Sequence, residues 1–485
     1  MIAELKPYAE YKESGLPWLG QVPRHWETRR LRHAADMRVS NVDKHTKPAE
    51  TPVRLCNYVE VYKNERIRES TRFMPATASE DERVRFGLCK GDVLITKDSE
   101  QWNDIGVPAL VEFEAPDLVC GYHLAILRSR PGLYGPFLHR VLESHFIAAQ
   151  FHVEANGVTR YGLSHGAIQG VAIPLPPSSE QAAIVRFLDW ANGRLERAIR
   201  AKRKVIALLN EQKQAIIHRA VTRGLDPSVP LKPSDIPWLG DIPQHWEVVA
   251  LGRLCSARCD GPFGSGLKSM HYTHSGVRVI RLQNIGNGEF RDRGGAFISE
   301  EHYASLGDHD VSEGDLLVAG LGDEKIPAGR ACIAPPLLGL AMVKADCFRF
   351  RLRAGRAVPA FLSKHLSATA SAATACLSTG ATRLRINLSA TAARAVALPT
   401  GEEQQNIIDF VGNATAPIDS AISRLEREIE LLREYRTRLV ADVVTGKLDV
   451  REAAALLPDE AAPDIVEDDI DPSIDPEAAD EEAAV

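Results

Sequence analysis

An eleven-residue segment occurs twice in this chain, and its recurrence limits the possible folds more than any other feature. The first copy is "PWLGQVPRHWE" (Pro17–Glu27) and the second is "PWLGDIPQHWE" (Pro237–Glu247), 220 residues later. A second pair of matching blocks, residues 180–226 and 403–449, lies 223 residues apart and aligns without a gap. Because this period is far too long for a solenoid repeat, we interpret the chain as a duplicated pair of domains.

The second pair of blocks predicts long helices. Proline precedes each block, and apolar residues then recur at steps of three and four over about four heptads, which is typical of a coiled coil. Lys213 and Arg436 interrupt this apolar seam at equivalent positions. Pro417 lies inside the second block, so there we expect a short helix followed by a longer one. The predicted helix-pairing seam consists of Leu195, Ile199, Ile206, Leu209 and Ile216 with Ile418, Ile422, Leu425, Ile429, Leu432 and Leu439.

The segments between the repeated blocks predict a β-rich fold. Residues 28–176 and 248–399 carry short β-like runs separated by glycine, such as "GDVLITKD" and "GDLLVAG". The two segments stay near one register, since "NGVTR" at 156–160 matches "TGATR" at 379–383. The expected fold class is therefore α+β, with two similar mixed α/β domains separated by two long helices in a pseudo-two-fold internal repeat. Constant helices with variable inserts indicate one scaffold that presents two recognition surfaces.

These boundaries define the predicted order of segments along the chain. They are an N-terminal segment 1–27 with the first PWLG copy, a variable domain 28–176, a central helical region 177–226, a linker 227–247 with the second PWLG copy, a second variable domain 248–399, a C-terminal helical region 400–449 and an acidic tail 450–485.

The net charge of −7 is unevenly distributed. Residues 451–485 contain thirteen Asp or Glu and one Arg, so this tail carries −12 and the preceding 450 residues carry +5. A mildly basic body permits nucleic-acid binding without requiring it. A segment this acidic and this poor in apolar residues is expected to be disordered.

Several features favour a cytoplasmic protein. The eight cysteines are scattered without framework spacing, which fits reduced thiols. The N-terminus "MIAELKPYAEYKESG" lacks the pattern of a secretory signal, and no run of eighteen apolar residues occurs.

A phosphate-binding loop is the first catalytic interpretation to weigh. The stretch "GPFGSGLKS" at 261–269 resembles G-x-x-x-x-G-K-S/T, but Leu267 is inserted before Lys268. The residues that follow do not predict a helix whose N-terminus would hold phosphate. We therefore favour a glycine-rich recognition loop or turn.

A zinc site is the second alternative. Cys255 and Cys259, followed by His271 and His274, come near zinc-finger spacing, although both gaps fall just short of the usual ranges. The alternative is two buried thiols and two loop histidines.

Other catalytic motifs are absent from the sequence. It contains no G-x-S-x-G, H-E-x-x-H or C-x-x-C motif, and no D/N-P-P-Y/F signature of an amino-methyltransferase. His123 and His165 lack a partner motif and are interpreted as ordinary surface or core residues. The expected chain is non-catalytic.

The tryptophans of the PWLG segments have two interpretations. Trp18, Trp26, Trp238 and Trp246 could stack on nucleobases. We favour a structural role in which they hold the segment against the helix ends or the sheet, because buried tryptophan is usually a packing residue with one polar group to satisfy.

The combination of these motifs resembles a known family. "SGLPWLGQVPRHWE" and "SDIPWLGDIPQHWE", each followed by a variable block and a helical block such as "PLPPSSEQAAIVRFLD" ending in "VTRGLD", are similar to the specificity subunit of type I restriction–modification enzymes over residues 11–449. The resemblance implies two target-recognition domains held apart by an antiparallel coiled coil. It implies that each domain reads one half of a bipartite, asymmetric double-stranded DNA target. The acidic tail is not part of the pattern.

The resemblance also implies partners. The helices would bind two methyltransferase subunits, which carry the ATP-dependent motor-nuclease subunits. S-adenosylmethionine, ATP and Mg would be used by those partners, so no cofactor is expected in this chain. A partner that flips its target adenine out of the stack would explain why the reader needs no catalytic residue.

Candidate DNA contacts are chosen from polar residues beside glycines, because Arg, Lys, Asn and Gln grip phosphates or read purine edges. For each of them a simple surface role is the alternative, and Arg160 and Arg383 have a further one as structural ion-pair partners. The candidates are Asn57, Tyr58, Lys97, Arg160 and Tyr161 in the first domain and Ser265, Lys268, Gln283, Asn284, Arg383 and Arg385 in the second.

Two other functions remain open from the sequence alone. The chain would be a stand-alone DNA-binding regulator, or the specificity half of a fused restriction–methyltransferase enzyme. Copurification of methyltransferase subunits with the chain would distinguish a specificity subunit from a stand-alone regulator. Inspection of the neighbouring reading frames would test whether the chain is the specificity half of a fused enzyme.

Overall fold

The structure is a computed structural model that describes residues 5–336, 339–378 and 384–458, without the side chain of Ser265. The chain forms two compact units. The first unit comprises Met1–Ala201 with Glu428–Val485, and the second comprises Lys202–Arg427. Each unit therefore contains one variable domain and a half of each repeated helical block.

The first unit is built on short strands that form a five-stranded sheet and a three-stranded sheet. Their orders are β4-β12-β8-β10-β6 and β11-β5-β7, and three two-stranded ladders, β1-β2, β3-β14 and β9-β13, complete the unit. The strands are β1 (Tyr11–Glu13), β2 (Gln21–Pro23), β3 (Glu27–Arg30), β4 (Ala35–Val39), β5 (Thr51–Cys56), β6 (Arg66–Ile67), β7 (Met74–Ala78), β8 (Val93–Thr96), β9 (Asp98–Ser99), β10 (Pro108–Val111), β11 (Leu118–Cys120), β12 (Leu124–Ser129), β13 (Tyr161–Gly162) and β14 (Ala172–Leu175).

The second unit repeats this topology. The order β18-β27-β23-β25 matches β4-β12-β8-β10, and β26-β20-β21 within a five-stranded sheet matches β11-β5-β7. The strands are β15 (Leu231–Pro233), β16 (Asp241–Pro243), β17 (Glu247–Ala250), β18 (Cys255–Cys259), β19 (Tyr272–Thr273), β20 (Val277–Ile280), β21 (Phe297–Ile298), β22 (Asp310–Val311), β23 (Leu316–Ala319), β24 (Leu321–Gly322), β25 (Ala331–Ile333), β26 (Ala341–Val343), β27 (Cys347–Leu352), β28 (Leu384–Arg385) and β29 (Ala395–Leu398).

The central strand of each domain is buried on both faces. In β8, Val93 and Ile95 belong to one apolar cluster while Leu94 belongs to another, as the two-residue period of a strand requires. In β23, Leu316 and Leu317 divide in the same way. These continuous apolar runs therefore mark strands that lie between two cores, and they recur at equivalent positions.

The two repeated blocks form the longest helices. The helices are α1 (Leu31–Ala34), α2 (Tyr58–Lys63), α3 (Glu80–Phe86), α4 (Gly135–Leu142), α5 (His145–Glu154), α6 (His165–Gly170), α7 (Ser178–Arg223), α8 (Glu300–Leu306), α9 (Pro359–Ala368), α10 (Ala370–Leu377), α11 (Leu388–Ala393), α12 (Gly401–Val444) and α13 (Arg451–Ala455). The predicted fold class, with two mixed domains and two long paired helices, is confirmed.

The predicted break at Pro417 is wrong, because α12 continues through this residue. Proline inside a helix costs about 3 kcal/mol through its missing N–H and its clash with the preceding turn. The turns around it are held by burial, since Thr415 and Ile418 are 7% and 9% exposed. Packing of these neighbours offsets the local cost.

Ion pairs at equivalent positions join α7 to α12. The Lys213 Nζ atom lies 2.6 Å from Asp419 Oδ1, and the Arg436 Nη1 atom lies 2.8 Å from Glu196 Oε1. Position 213 corresponds to 436 and position 196 to 419 in the repeat. The charges that interrupt the seam therefore pair across the helices, and the pairing is antiparallel because a later residue of α7 meets an earlier residue of α12.

The PWLG segments bind the first turns of the long helices. Trp26 is fully buried, and its indole N–H donates to Glu180 Oε1 at 3.0 Å, while His25 Nε2 lies 2.8 Å from the other carboxylate oxygen. The second copy repeats the arrangement with Trp246 and Glu403, also at 3.0 Å. The structural interpretation of these two tryptophans is confirmed.

The same tryptophans cover the ends of the opposite helices. Gly446 follows α12 with φ +77°, and a Cβ atom there would lie 2.3 Å from Pro23 and 3.2 Å from Trp26. Gly224 follows α7 with φ +72° and lies against Trp246. Glycine ends a helix in this conformation without steric cost, so each segment joins the start of one long helix to the end of the other.

Buried glutamines attach each variable domain to its helix. The side-chain oxygen of Gln181 accepts from the backbone N–H of Tyr134 at 2.8 Å, just before α4. The oxygen of Gln404 accepts from Val358 at 2.7 Å, just before α9. The domain that carries each candidate surface is thus held by a hydrogen bond to the rigid helix.

The ordered C-terminal part extends beyond the predicted start of the tail. Helix α13 packs Ala453 and Ala454 into the core of the first unit, and Leu457 follows at 5% exposure. These apolar side chains explain why the chain stays folded there; the rest of the predicted tail, 459–485, lies outside the described residues. Within the described part, none of the helices is both long and apolar enough to cross a membrane.

Candidate nucleic-acid interface

The candidates of the first domain converge on one surface, which we call the first-domain patch (Asn57, Tyr58, Lys97, Arg160 and Tyr161). Strand β13 pairs with β9, so that Tyr161 lies opposite Ser99. The hydroxyl of Tyr58 lies near the side chain of Ser99, and its ring stacks on Tyr62 with centroids 5.5 Å apart. Burial raises the pKa of Tyr58, so its hydroxyl stays protonated and can donate.

Charged groups of the patch form a chain of contacts. Lys97 Nζ lies 2.6 Å from Asp98 Oδ2, and His123 Nδ1 lies 2.5 Å from the same oxygen. Arg160 Nη2 lies 3.2 Å from His123 Nε2. Burial opposes the charge of Asp98, but the hydrogen bonds from Lys97 and His123 outweigh it and lower the pKa of this carboxyl group. Asp98 thus remains ionised, and the contacts of His123 with Asp98 and Arg160 place all four side chains in one chain.

Asn57 lies at the edge of this patch, where it precedes α2. Its backbone N–H donates to Glu60 at 2.9 Å, and its amide oxygen lies close to Gly121. A Cβ atom on Gly121 would come within 2.8 Å of that oxygen. The turn after β11 therefore needs glycine to pass the amide.

Three residues of this surface were not among the sequence candidates: Asp98, Tyr122 and His123. The ring of Tyr122 is 37% exposed and its centroid is 3.7 Å from that of His123. The backbone of His123 has φ +69°, which is uncommon for a residue other than glycine. The sequence signal was weak, consisting only of the short turn "GYH" between two strands.

Arg385 is the best-placed candidate of the second domain. It lies in β28, which pairs with β24, and its guanidinium contacts Asp346 Oδ1 through Nε at 2.9 Å and through Nη2 at 2.8 Å. The guanidinium also lies over the ring of Phe263 at 5.7 Å from its centroid. Its side chain is 46% exposed, so it is available to a ligand.

The remaining second-domain candidates are not brought into this cluster by any described contact. Lys268 is exposed on the glycine-rich loop, where its backbone N–H donates to His271. Gln283 lies beside Gly294. Arg383 lies outside the described residues, and so does the side chain of Ser265.

Asn284 lies inside the domain rather than on its surface. It is 0% exposed, its amide oxygen accepts from Arg281, and its amide nitrogen donates to the carbonyl groups of Arg291 and Arg293. A contact with DNA by this side chain would require the loop to open. In the folded domain it shapes the 281–293 loop.

The glycine-rich loop does not lead into an α-helix. Short 3-10 turns at Gly264–Gly266 and Ser269–His271 are followed by β19. This geometry lacks the helix N-terminus that a phosphate loop needs. Among the described residues, no three His, Cys, Asp or Glu side chains lie close enough together to hold a metal ion.

The predicted helix seam contains both buried and half-buried positions. On α7 the buried positions come first, whereas on α12 they are spread along the helix. Leu195, Ile199, Ile418, Ile429 and Leu439 are buried, whereas Ile206, Leu209, Ile216, Ile422, Leu425 and Leu432 are half-buried.

Known proteins with similar sequences share one description. A protein of Methanocaldococcus jannaschii named for the specificity subunit of type I restriction enzyme MjaX is 24% identical over 445 residues, which cover 89% of this chain and 96% of that protein. The predicted resemblance to type I specificity subunits is confirmed. The MjaVIII specificity subunit of the same organism is 28% identical over 152 residues, covering 31% of this chain and 33% of that specificity subunit.

The fold agrees with that of a chain of known structure. A chain in a structure of a type I R-M system aligns with a TM-score of 0.57 at 18% identity, covering 88% of this chain and 99% of the other. At this identity the likeness concerns the fold alone. No family model matches the sequence.

Proposed function

We propose that the chain is the DNA-recognition specificity subunit of a type I restriction–modification complex, reading a bipartite asymmetric target. The observation that carries this proposal is the repeated domain with a changed surface. At equivalent turns the first domain presents His123 and the second presents Asp346, both at positive φ and both in contact with an arginine. Two domains of one fold with different polar groups suit two different half-sites.

In this proposal the chain selects the DNA site, and its partner subunits methylate or cut the DNA. Two methyltransferase subunits would bind the helices and methylate adenine with S-adenosylmethionine, and motor-nuclease subunits would join through them and use ATP and Mg. The chain itself would bind double-stranded DNA in the cytoplasm without a cofactor or a catalytic residue. One domain can discriminate only a few base pairs, at about 1–3 kcal/mol for each good bidentate contact, so two domains are needed for a rare site.

Exposed leucines at equivalent positions support two copies of one partner. Leu208 on α7 is 54% exposed and Leu431 on α12 is 63% exposed, and they are 223 residues apart, as the repeat requires. Large apolar side chains on the surface of a paired helix suggest protein contacts. Equivalent exposed residues on both helices fit two identical subunits.

Reconstitution tests the function. The purified chain alone is expected neither to methylate nor to cut DNA, and adding the cognate methyltransferase subunit should restore adenine methylation at a bipartite site. Methylation by the chain alone, shown by mass spectrometry to be free of partner, would contradict the proposal. A sequence-specific chain that never binds the methyltransferase would instead indicate a stand-alone regulator.

Matched variants test the stoichiometry. Leu208→Glu and Leu431→Glu should each remove one methyltransferase subunit in native mass spectrometry, and the double variant should remove both. Gln214→Glu and Thr437→Glu introduce the same charge at exposed equivalent positions and should leave two subunits bound. Loss of both subunits from a single leucine variant would argue against two separate sites.

A further inference from the structure

Arg385 is held in a geometry that suits the reading of a base edge. Its Nε–H and one Nη2–H point to the same oxygen of Asp346, at 2.9 and 2.8 Å. The two N–H groups of Nη1 and the second of Nη2 lie on the other edges of the guanidinium plane, away from the carboxylate. That outer edge presents two parallel donors, which match the O6 and N7 acceptors of guanine in the major groove.

Asp346 is itself fixed by the backbone around it. Its φ is +62°, its N–H donates to Asp260 Oδ1 at 2.9 Å, and its carbonyl accepts from Gly320 at 2.7 Å. The carboxylate is 15% exposed whereas Arg385 is 46% exposed, so the carboxylate lies beneath the guanidinium. Little conformational freedom is then lost when Arg385 meets a ligand.

The net charge of the Arg385–Asp346 pair favours a base over a phosphate as the group that Arg385 contacts. A phosphate contact gains mainly from net positive charge. Asp346 neutralises the charge of Arg385, which weakens attraction to phosphate but keeps the direction of its N–H groups. The exposed ring of Phe263 supports the guanidinium plane from one side.

The first domain holds an arginine differently at the equivalent turn. There Arg160 contacts the His123 ring instead of a carboxylate, and Gly162 occupies the position that corresponds to Arg385. The donor edge of Arg385 is therefore a feature of the second domain alone. It is a candidate for what makes the two half-sites differ.

We propose that Arg385 reads one guanine of the second half-site through its outer N–H edge and that Asp346 is its positioning residue. This inference rests on the proposed function. It adds the identity of one base and the residue pair that selects it.

The test uses the full chain reconstituted with its methyltransferase partner and the motif that methylome sequencing assigns to it. Binding is measured on duplexes in which each guanine of the second half-site is replaced by 7-deazaguanine or adenine. The wild-type complex should lose affinity about 5- to 150-fold at one guanine, the range that a bidentate contact supplies. Arg385→Gln and Arg385→Lys should lose that discrimination while the first half-site is read as before.

Two further variants distinguish the positioning of Arg385 by Asp346 from a general effect of losing a charge in this unit. Asp346→Asn should reduce discrimination at the same guanine with Arg385 present, because the uncharged amide holds the Arg385 guanidinium less firmly than the carboxylate does. Arg356→Gln, at an exposed arginine of the same unit, should change nothing at that base. Folding of every variant is checked by thermal unfolding, and Arg385→Lys keeps the charge if Arg385→Gln does not fold.

Several outcomes would overturn the inference. Uniform weakening across all sequences, with the salt dependence reduced by about one phosphate contact, would show that Arg385 grips the backbone. A second half-site without a sensitive guanine would refute it directly. A wild-type complex that recognises no bipartite site would remove the proposed function itself, and this result is distinct because it appears before any variant is tested.

Discussion

Replacing Glu180 by alanine should destabilise the protein far more than the same change at the equivalent Glu403. Glu180 is 4% exposed and accepts hydrogen bonds from Trp26 at 3.0 Å and from the Tyr8 hydroxyl at 2.5 Å, with His25 2.8 Å away. Its removal leaves two buried donors without an acceptor. Each unsatisfied donor costs about 1–3 kcal/mol, so we expect a loss of roughly 3–5 kcal/mol.

Glu403 is the control that the repeat provides. It accepts from Trp246 at 3.0 Å and lies 2.8 Å from His245, but its side chain is 27% exposed and Ser228 stands where the first copy has Tyr8. If the carboxylate is removed there, water can accept part of the hydrogen bonding that it provides. The expected loss for Glu403→Ala is about 1–2 kcal/mol.

Hydrogen–deuterium exchange measures the two changes locally. Amides in the first turns of α7 and α12 report the opening of each helix start separately, which avoids assuming that the whole chain unfolds in one step. Glu180→Ala should accelerate exchange at the start of α7 by about 100-fold or more, and Glu403→Ala by about tenfold at the start of α12. Equal effects, or a larger effect at Glu403, would refute the argument that the buried carboxylate joins the PWLG segment to the helix.

Other predictions concern pH, length and symmetry. Burial lowers the pKa of His365 to about 4, although its contact with the Val221 carbonyl opposes the shift, so the folded protein keeps it neutral and loses stability as pH falls from 6.5 towards 4. His365→Val, the residue type found at the equivalent Val141, should remove about 2 kcal/mol of this loss between pH 6.5 and 4.5 in urea unfolding; an unchanged pH slope would contradict it. Inserting four residues between Leu209 and Ile216 lengthens α7 by about 6 Å, which corresponds to one or two base pairs, so the spacer in the methylome should grow while both half-sites stay unchanged. A fragment ending near Asp226 should dimerise through its exposed helix and, with methyltransferase added, recognise an inverted repeat of the first half-site; a monomer would count against the two-reader account.

The architecture could be predicted because the same sequence pattern occurs twice in the chain. The repeated blocks and the heptad spacing of residues such as Ile199 and Ile429 indicate paired helices without any structure. The break at Pro417 was mispredicted because a local rule was applied where burial of Thr415 and Ile418 decides the outcome. Local preference is informative only where packing leaves the choice open.

The candidate surface could be predicted only in part. Lys97, Arg160 and Tyr161 were chosen separately as polar residues beside glycine, and pairing of β13 with β9 brings them together. The contacts of His123 with Arg160 and of Asp346 with Arg385 were not predicted, because they join residues 37 and 39 positions apart in the chain. Asn284 shows the reverse limit, since a polar residue in a loop can be fully buried by bonds within that loop.

The most direct test of the account is a methylome of host DNA in the presence of the chain, its methyltransferase partner and a chimeric chain. In the chimera, residues 28–176 replace residues 248–399, so both helices carry the first domain. We predict a bipartite asymmetric motif with a fixed spacer for the natural chain, and an inverted repeat of the first half-site for the chimera. A single contiguous motif for the natural chain, or an unchanged motif for the folded chimera, would contradict the claim that each domain reads its own half of the target.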